Sequence, residues 1–348
     1  MMSFYISGNA PFLYPTDTYF GIFRYEGSDF IEIPKFHPFQ EEWGNIITTN
    51  VIAEKNHVPI ILDLVYLSII ERKFYSVESR INTELIENLW AQIHNNGAPL
   101  FSHIIVGMAP YGETAIWVRG GEKSVLIDWI HAEEILVEMK DFLPMNPTMT
   151  LDKFCDFFID NDPIVKQNLA TNGLPPRDLF DNYMKQFTYR YLPMFEHWNE
   201  DEEKWQKYTE DEQETKPVFD YIEEALYDGT HDKLHDGGLM QYHEAGKPKK
   251  LAMKWHINNS EYAAYFWLED DAIRAIFDKF YGIHPDTKTD FIIHIDSEKK
   301  KYQLALFRYG LQEPKIISED AYQLIVFKNK FEQYRSTNYK QPRGAWIW

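Results

Sequence analysis

Residues 60–69 read Ile-Ile-Leu-Asp-Leu-Val-Tyr-Leu-Ser-Ile, and this run gives the clearest indication of the fold. It is rich in β-branched and aromatic residues, which are enriched in strands. A second strand is predicted over residues 73–79. A helix is predicted to start after Asn82, because Asn is a favourable cap and apolar residues recur at helical spacing beyond it. The pattern therefore begins as strand, strand, helix.

The same order of elements is predicted twice. In the first copy, strands at residues 102–108 and 114–119 and a helix at 131–142 complete a ββαββα unit. In the second copy, strands at 250–257 and 262–268, a helix from 269, strands at 290–295 and 302–308, and a helix capped by 318–320 follow in the same order.

A few matched residues accompany this shared order. Tyr75 corresponds to Tyr262, Ile86 to Ile273 and Arg119 to Arg308. An internal duplication predicts two similar lobes. Two unrelated α+β stretches are the alternative. We expect an α+β protein with two antiparallel sheet-plus-helix lobes, one spanning residues 59–142 and the other 248–348.

The rest of the chain lies before and between these lobes. Residues 1–58 are rich in aromatic and turn residues and predict a β-rich segment. Residues 143–247 predict a helical acidic insertion that ends in a loop rich in His, Asp and Gly. Its helices are expected at 150–160, 176–195 and 218–227.

Charge limits the classes of partner. The chain of 348 residues carries a formal net charge of −19. Such a charge repels nucleic acids and anionic membranes, which are bound through Lys and Arg, and it attracts basic proteins. The alternative is that acidity only maintains solubility. Residues 196–224 hold twelve acidic residues against three lysines, a net charge of −9.

Aromatic residues accompany this acidic stretch, which makes it a candidate partner-binding surface. Disordered acidic segments generally lack them, so an ordered insertion is expected. Aromatic side chains also supply much of the binding energy at protein interfaces. The candidate partner-binding residues are Trp198, Asp201, Glu202, Glu203, Trp205, Tyr208, Glu210, Asp211 and Glu212.

A second constellation contains histidine and aspartate. The candidate metal ligands or acid–base groups are His231, Asp232, His235 and Asp236. On a helix, His231 and His235 would share a face, but flanking glycines favour turns. Asp and His side chains that bond backbone groups in a packed loop are the alternative. We expect no cofactor, because no G-x-S-x-G, H-E-x-x-H or paired C-x-x-C motif occurs.

The cellular compartment is also suggested by the sequence. Cys155 is the one cysteine, and its apolar helical setting predicts a buried structural thiol rather than a nucleophile. A single cysteine fits a reducing compartment. The first residues show no secretory signal pattern, and no apolar run of 18 residues occurs. We therefore expect a cytoplasmic location.

Residues 67–75, with the sequence LSIIERKFY, and residues 106–120, with the sequence VGMAPYGETAIWVRG, resemble the bacterial domain of unknown function 2931 family. The resemblance is good over roughly residues 55–145. It implies no established enzymatic activity. Some members are lipoproteins, but this chain has no lipobox cysteine near its start. Relatives beside secreted antibacterial toxins imply an immunity protein.

Three functions therefore remain open at this point. The first is an immunity-type protein that binds and blocks a cognate, basic toxin of a contact-dependent secretion system, of which type VI secretion is an example. The second is a metal-dependent hydrolase centred on the histidine segment. The third is a non-catalytic scaffold protein. The sequence does not define the partner or the oligomeric state.

Overall fold

A computed structural model describes residues 2–34, 43–46, 51–55, 57–94, 97–121, 123–209, 217–239, 241–282, 287–298, 300–330 and 332–337. The chain forms two compact units. The first comprises Met1–Phe180 with Asp228–Thr230, and the second comprises Asp181–Tyr227 with His231–Trp348. Both units contain sheets and a smaller share of helix, so the α+β class is confirmed.

The first unit contains ten strands among the described residues. They are β1 (Met2–Asn9), β2 (Thr16–Arg24), β3 (Phe30–Glu32), β4 (Val51–Lys55), β5 (Ile61–Ser68), β6 (Lys73–Arg80), β7 (Phe101–Met108), β8 (Glu113–Gly120), β9 (Ser124–His131) and β10 (Glu133–Ile135). Its helices are α1 (Thr83–Trp90), α2 (Met139–Phe142), α3 (Leu151–Asn161) and α4 (Pro163–Asn172), and α5 (Leu179–Met184) crosses the boundary between the units.

Two sheets of this unit share one core. One has the order β4-β1-β7-β8-β9 and the other the order β3-β2-β5-β6-β10. Leu62, Leu64 and Tyr66 alternate inward along β5, as strand periodicity requires. Ile86 of α1 also packs into this core, with its side chain fully buried. The predicted strand at 60–69 is thus confirmed.

Helices cover the outer side of the β5–β6 hairpin. Leu67 and Phe74 of the hairpin pack with Phe142, Phe154 and Cys155 from α2 and α3. Thr150 caps α3 by accepting a hydrogen bond from the backbone N–H of Lys153. Cys155 is fully buried, and burial raises the pKa of its thiol to about 12. The prediction of a structural thiol is confirmed.

The connection between β7 and β8 is a tight turn held by hydrogen bonds. Tyr111 has a φ of +64°, and its backbone N–H donates to the Glu71 carboxylate at 2.8 Å. The Tyr75 hydroxyl donates to the other oxygen of Glu71 at 2.8 Å. The Tyr66 hydroxyl donates to the carbonyl of Ala109 at 2.8 Å. The two strands predicted at 102–108 and 114–119 thus form a hairpin, and these polar groups support its turn.

The second unit contains twelve described strands and two further helices. They are β11 (Phe187–Asn199), β12 (Lys204–Lys207), β13 (Val218–Leu226), β14 (His231–His235), α6 (Asp236–Leu239), β15 (His243–Ala245), β16 (Pro248–Ile257), β17 (Ser260–Leu268), α7 (Asp270–Tyr281), β18 (Thr289–Asp296), β19 (Lys301–Arg308), β20 (Lys315–Ile317), β21 (Tyr322–Lys328) and β22 (Glu332–Thr337).

Two sheets also share one core here. One has the order β12-β11-β18-β19-β20, with β15 on the same side of β11 as β12. The other has the order β14-β13-β16-β17-β21-β22. Tyr189 and Tyr191 of β11, Phe291 of β18 and Ile273 of α7 are buried in the core between them. Aromatic rings supply much of this core.

The strand orders of the two units correspond. In each, a strand near the beginning runs parallel to the first strand after the helix: β1 beside β7, and β11 beside β18. In each unit, the hairpin before the helix, β5–β6 or β16–β17, lies in the other of the unit's two sheets. Its first strand pairs there with the unit's second long strand: β5 with β2, and β16 with β13. The matched residues Ile86 and Ile273 are both fully buried on the helix.

Four predicted helices are wrong over all or most of their length. Residues 131–142 form the end of β9, then β10, and only the short α2. Residues 318–320 begin a single 3-10 turn followed by β21. Residues 176–195 contain the short α5 and then enter β11, and residues 218–227 form β13. Each unit therefore departs from a strict ββαββα order. In the described part of the middle segment, the residues after 184 form mainly strands, with the short α6 as a further helix.

Strand periodicity explains these differences. In β21, Leu324 and Val326 face the core, and in β13, Ile222 and Leu226 do so. A two-residue repeat over a short segment is easily taken for part of a helical repeat, and pairing with a neighbouring strand then decides the outcome.

Gly112 offers a test of the tight turn. Its φ is +83°, and a Cβ there would lie 2.2 Å from the carbonyl oxygen of Ala132. We expect Gly112→Ala to lower the free energy of unfolding by about 2–4 kcal/mol, measured by urea denaturation. Gly121→Ala is the matched control, because its Cβ would meet no atom within 4 Å. Equal effects of the two substitutions would contradict this account.

Candidate functional site

The acidic aromatic stretch begins as a hairpin on one edge of a sheet of the second unit. Residues 196–199 of β11 pair antiparallel with β12. Trp198 lies directly opposite Trp205, and the two ring centroids are 5.2 Å apart. Cross-strand aromatic pairs of this kind stabilise hairpins. The structure thus brings together the two tryptophans predicted to bind a partner.

The hairpin is anchored on the neighbouring strands by its aromatic rings. Trp205 stacks on His294 of β18, with the ring centroids 4.9 Å apart and the planes 12° from parallel. The Trp205 indole N–H donates to the side-chain oxygen of Gln303 at 2.9 Å. Nζ of Lys301 lies 5.1 Å from the ring centroid of Trp198. Both indoles remain only partly buried, so part of each ring still faces solvent.

A buried polar pair lies beneath the hairpin. Nδ1 of His294 is 2.9 Å from a carboxylate oxygen of Glu196, and both side chains are less than a tenth exposed. Buried charged groups are tolerated when they are paired. Asp296 of β18 adds a second tie, because its carboxylate accepts from the backbone N–H of Trp198 at 2.7 Å. The hairpin is therefore held at a defined position on the sheet.

The turn of the hairpin concentrates negative charge. Asp201, Glu202 and Glu203 are all exposed. The Asn199 side chain shapes the turn by accepting from the backbone N–H groups of Asp201 at 3.0 Å and Glu202 at 3.2 Å. Lys204 forms an ion pair with Glu202. The arrangement places exposed carboxylates beside partly exposed indoles, which is a combination suited to contact with a basic protein.

The other predicted partner-binding residues are distributed as follows. Tyr208 follows β12, and its ring centroid lies 4.1 Å from that of His197. Glu210, Asp211 and Glu212 lie outside the described residues. His294 and Glu196 support the hairpin but were not among the predicted residues. No local motif marks them, since their proximity depends on the pairing of β11 with β18.

The histidine segment forms a strand rather than a helix or an open loop. His231 and His235 are the ends of β14, and four residues of strand place them roughly 13 Å apart. His231 is buried, and its Nε2 lies 2.9 Å from a Glu223 carboxylate oxygen. His235 is exposed beside Tyr221. The structure does not bring these two imidazoles together.

The aspartates of this segment do not join them. Because successive residues of a strand point to opposite faces, Asp232 faces away from both histidines. The side chain of Asp236 lies outside the described part. Asp228 bonds its own turn, accepting from the backbone N–H of Thr230 at 2.9 Å. Among the side chains that the structure describes, no group of three or more His, Cys, Asp or Glu is arranged to hold a metal ion.

A buried acid–base cluster lies in the core of the second unit. The Tyr191 hydroxyl donates to Glu224 at 2.6 Å, and the other carboxylate oxygen lies 3.7 Å from Nε2 of His243. Burial lowers the pKa of His243, but contact with Glu224 outweighs it and the pKa is raised. Burial also raises the pKa of the Tyr191 phenol. With Tyr191 and Glu224 enclosed, the cluster supports the fold.

A buried lysine joins two segments of the same unit. Lys247 is fully buried, and its ammonium donates to the backbone carbonyl of Asn182 in α5. Burial lowers the pKa of Lys247 from 10.5 to about 8. A cation at the end of a helix is favourable, but its loss of hydration opposes the charged form.

Lys247 makes stability depend on pH in a defined direction. The folded protein releases this proton near pH 8, whereas the unfolded chain holds it to about pH 10.5. The free energy of unfolding therefore gains a contribution that rises between these values. We expect Lys247→Met to reduce the gain between pH 7 and pH 9 by about 1 kcal/mol, measured by urea denaturation at both pH values.

The exposed Lys279 provides the control for this experiment. Lys279→Met should leave the pH dependence of the free energy of unfolding unchanged. The account of Lys247 fails when both variants show the same pH profile as the original protein.

In the described residues, no helix has the length and apolar character needed to cross a membrane.

Comparisons with known proteins bear on the first half of the chain. Comparison with functionally characterised proteins and with solved structures finds no match. The model of one protein family, described as "Protein of unknown function (DUF2931)", matches residues 2–175, which is half of the sequence. The chain belongs to the DUF2931 family.

Proposed function

We propose that this protein is an immunity-type binding protein, which neutralises a cognate antibacterial toxin by direct contact. The toxin is a basic effector of a contact-dependent system such as type VI secretion, and the contact takes place in the cytoplasm. One observation carries the proposal: the β11–β12 hairpin presents three exposed carboxylates beside two partly exposed tryptophans.

Each part of the hairpin has a role in this proposal. Trp198 and Trp205 provide apolar area with few rotatable bonds, which suits interface anchors. The carboxylates of the turn attract a positively charged partner and raise the association rate. Because the Trp205 indole is already ordered by His294 and Gln303, it loses little side-chain entropy on binding.

The overall charge supports the same class of partner. A net charge of −19 disfavours nucleic acids and anionic membranes and favours a basic polypeptide. Proteins that act on nucleic acids bind them through basic surfaces, and an acidic protein can cover such a surface. The proposal thus names a protein partner.

Co-expression tests the proposal directly. The chain is produced with the product of the neighbouring gene, and the mixture is purified by affinity. We expect the two proteins to co-purify and the chain to protect cells from that product. Failure of both co-purification and protection would contradict an immunity function.

Neutralising the hairpin turn tests the role of its charge. We expect Asp201→Asn with Glu202→Gln and Glu203→Gln to slow association about 3- to 10-fold at low salt, with a small change in dissociation. Stopped-flow kinetics at two salt concentrations measures both rates. The difference should shrink at high salt, because ions screen exposed charges.

A matched variant controls for net charge. Glu26, Glu87 and Glu133 are exposed and belong to the first unit. Replacing these three by Gln changes the net charge equally and should leave the association rate nearly unchanged. Equal slowing by both triple variants would show that the hairpin has no special role.

We also propose that the two units arose by internal duplication, with the acidic hairpin as a later specialisation of the second copy. The corresponding strand orders, the parallel pairs β1–β7 and β11–β18, and the buried helix residues Ile86 and Ile273 support this. If only the second copy carries the acidic hairpin, the first copy can keep the ancestral surface.

A further inference from the structure

The histidine that begins strand β15 lies between two acceptor groups. Nδ1 of His243 is 3.4 Å from the backbone carbonyl oxygen of Gln241, and Nε2 is 3.7 Å from a carboxylate oxygen of Glu224. A neutral imidazole has one donor and one acceptor nitrogen, whereas the imidazolium has two donors. Either neutral tautomer therefore places a lone pair opposite an acceptor oxygen, and only the protonated ring matches both neighbours.

Glu224 depends on this imidazolium for charge compensation. Its side chain is 4% exposed, and its other oxygen accepts from the Tyr191 hydroxyl at 2.6 Å. Among the described ion pairs, the cationic partner of Glu224 is His243. A separation of 3.7 Å is too long for a hydrogen bond, so charge attraction joins the two groups. Loss of the proton from His243 leaves a buried carboxylate without this cation, which is costly in a protein interior.

The other groups around the ring favour its charged form or leave it unchanged. Asp232 of β14 adds a negative charge that favours the imidazolium. Tyr189 and Tyr191 of β11 pack near the ring, with centroids 5.2 and 6.4 Å from that of His243. Burial opposes the imidazolium, but the carboxylates outweigh it and the pKa of His243 is raised.

Strand β15 has few other contacts to keep it in place. It pairs with residues 187–189 of β11 and has no other strand neighbour in the described part of the chain. One anchor lies on each side of it. The Tyr242 hydroxyl donates to Asp290 at 2.8 Å, and the Tyr189 hydroxyl donates to the carbonyl of Gly246 at 2.8 Å. Three residues between two anchors can move outward without unfolding the rest of the unit.

We propose that His243 makes β15 a pH-sensitive latch. The imidazolium keeps the strand paired with β11, and the neutral ring lets the strand separate between its anchors, so that water reaches Glu224. Separation also exposes the backbone groups of residues 187–189, and an unpaired strand edge of this kind can accept another strand. The latch is independent of the proposed immunity function.

The direction of the pH effect follows from linkage. Because the closed strand favours the imidazolium, its stabilisation is complete below the ordinary histidine pKa of about 6.5. It is lost as the pH rises through the raised pKa of His243. Lys247 releases its proton near pH 8 and acts in the opposite direction, so the two effects can be separated.

Hydrogen exchange in the full chain tests the latch. Amide exchange of residues 243–245 is recorded by NMR at about pH 6 and about pH 9 and corrected for the intrinsic rate at each pH. We expect the protection of these amides to fall about three- to tenfold between the two conditions, because the neutral ring no longer holds the strand. Amides of β19 in the same unit should change less than about twofold.

Variants assign the effect to the imidazole. His243→Gln has no titrating group, so its protection of residues 243–245 should be equal at both pH values within about twofold. His256→Gln is the matched control, because His256 pairs with Asp220 at 3.2 Å in a more exposed setting. It should keep the fall seen in the original chain. Lys247→Met should show an equal or larger fall, since it removes the opposing effect.

Three outcomes would overturn the proposal. They are equal protection of residues 243–245 at both pH values in the original chain, the same fall in His243→Gln, and titration of His243 at or below its ordinary pKa. The last is read from the imidazole proton shifts of the original chain, so it decides even when His243→Gln does not fold. In Glu224→Gln, His243 should titrate at lower pH than in the original chain.

Discussion

Alternate side chains of β11 and β18 point into the aromatic core of the second unit. The side chains between them therefore have to lie on the outer face of these two strands. Tyr191 and Phe291 face inward, so Glu196 and His294 must face outward, where they pair beneath Trp205. A shift of one residue in register would exchange these sets and bury a carboxylate in the core. The hairpin is thereby fixed by the packing of the sheet.

The same constraint operates in the first unit with a different result. There, α2 and α3 cover the outer side of the β5–β6 hairpin, and Cys155 fills part of that second apolar layer. The segment around Tyr111 forms the turn between β7 and β8, where Glu71 accepts hydrogen bonds from the Tyr111 backbone and the Tyr75 hydroxyl. The family match covers this unit, whereas the hairpin proposed to bind a partner lies beyond it.

Several polar groups buried in the second unit support its fold. Glu224 is held by Tyr191, and Lys247 is held by a carbonyl of α5. The histidines of β14 are separated by strand geometry, and His231 contacts Glu223. Among the described residues, the groups best placed to bind a partner lie at the surface. They are the exposed carboxylates and the partly exposed indoles of the β11–β12 hairpin.

Sequence alone determined the α+β class, the strand at 60–69, the helices α1, α3 and α7, the buried thiol and the occurrence of acidic and aromatic residues in one stretch. These features depend on local periodicity, capping and composition, which act over a few residues. Only the tertiary structure decided that residues 187–199 and 218–226 are strands, that Trp198 meets Trp205, and that His231 and His235 lie apart. Strand pairing joins residues distant in sequence, and the short two-residue repeats of β13 and β21 match helical spacing too closely for the sequence to distinguish them.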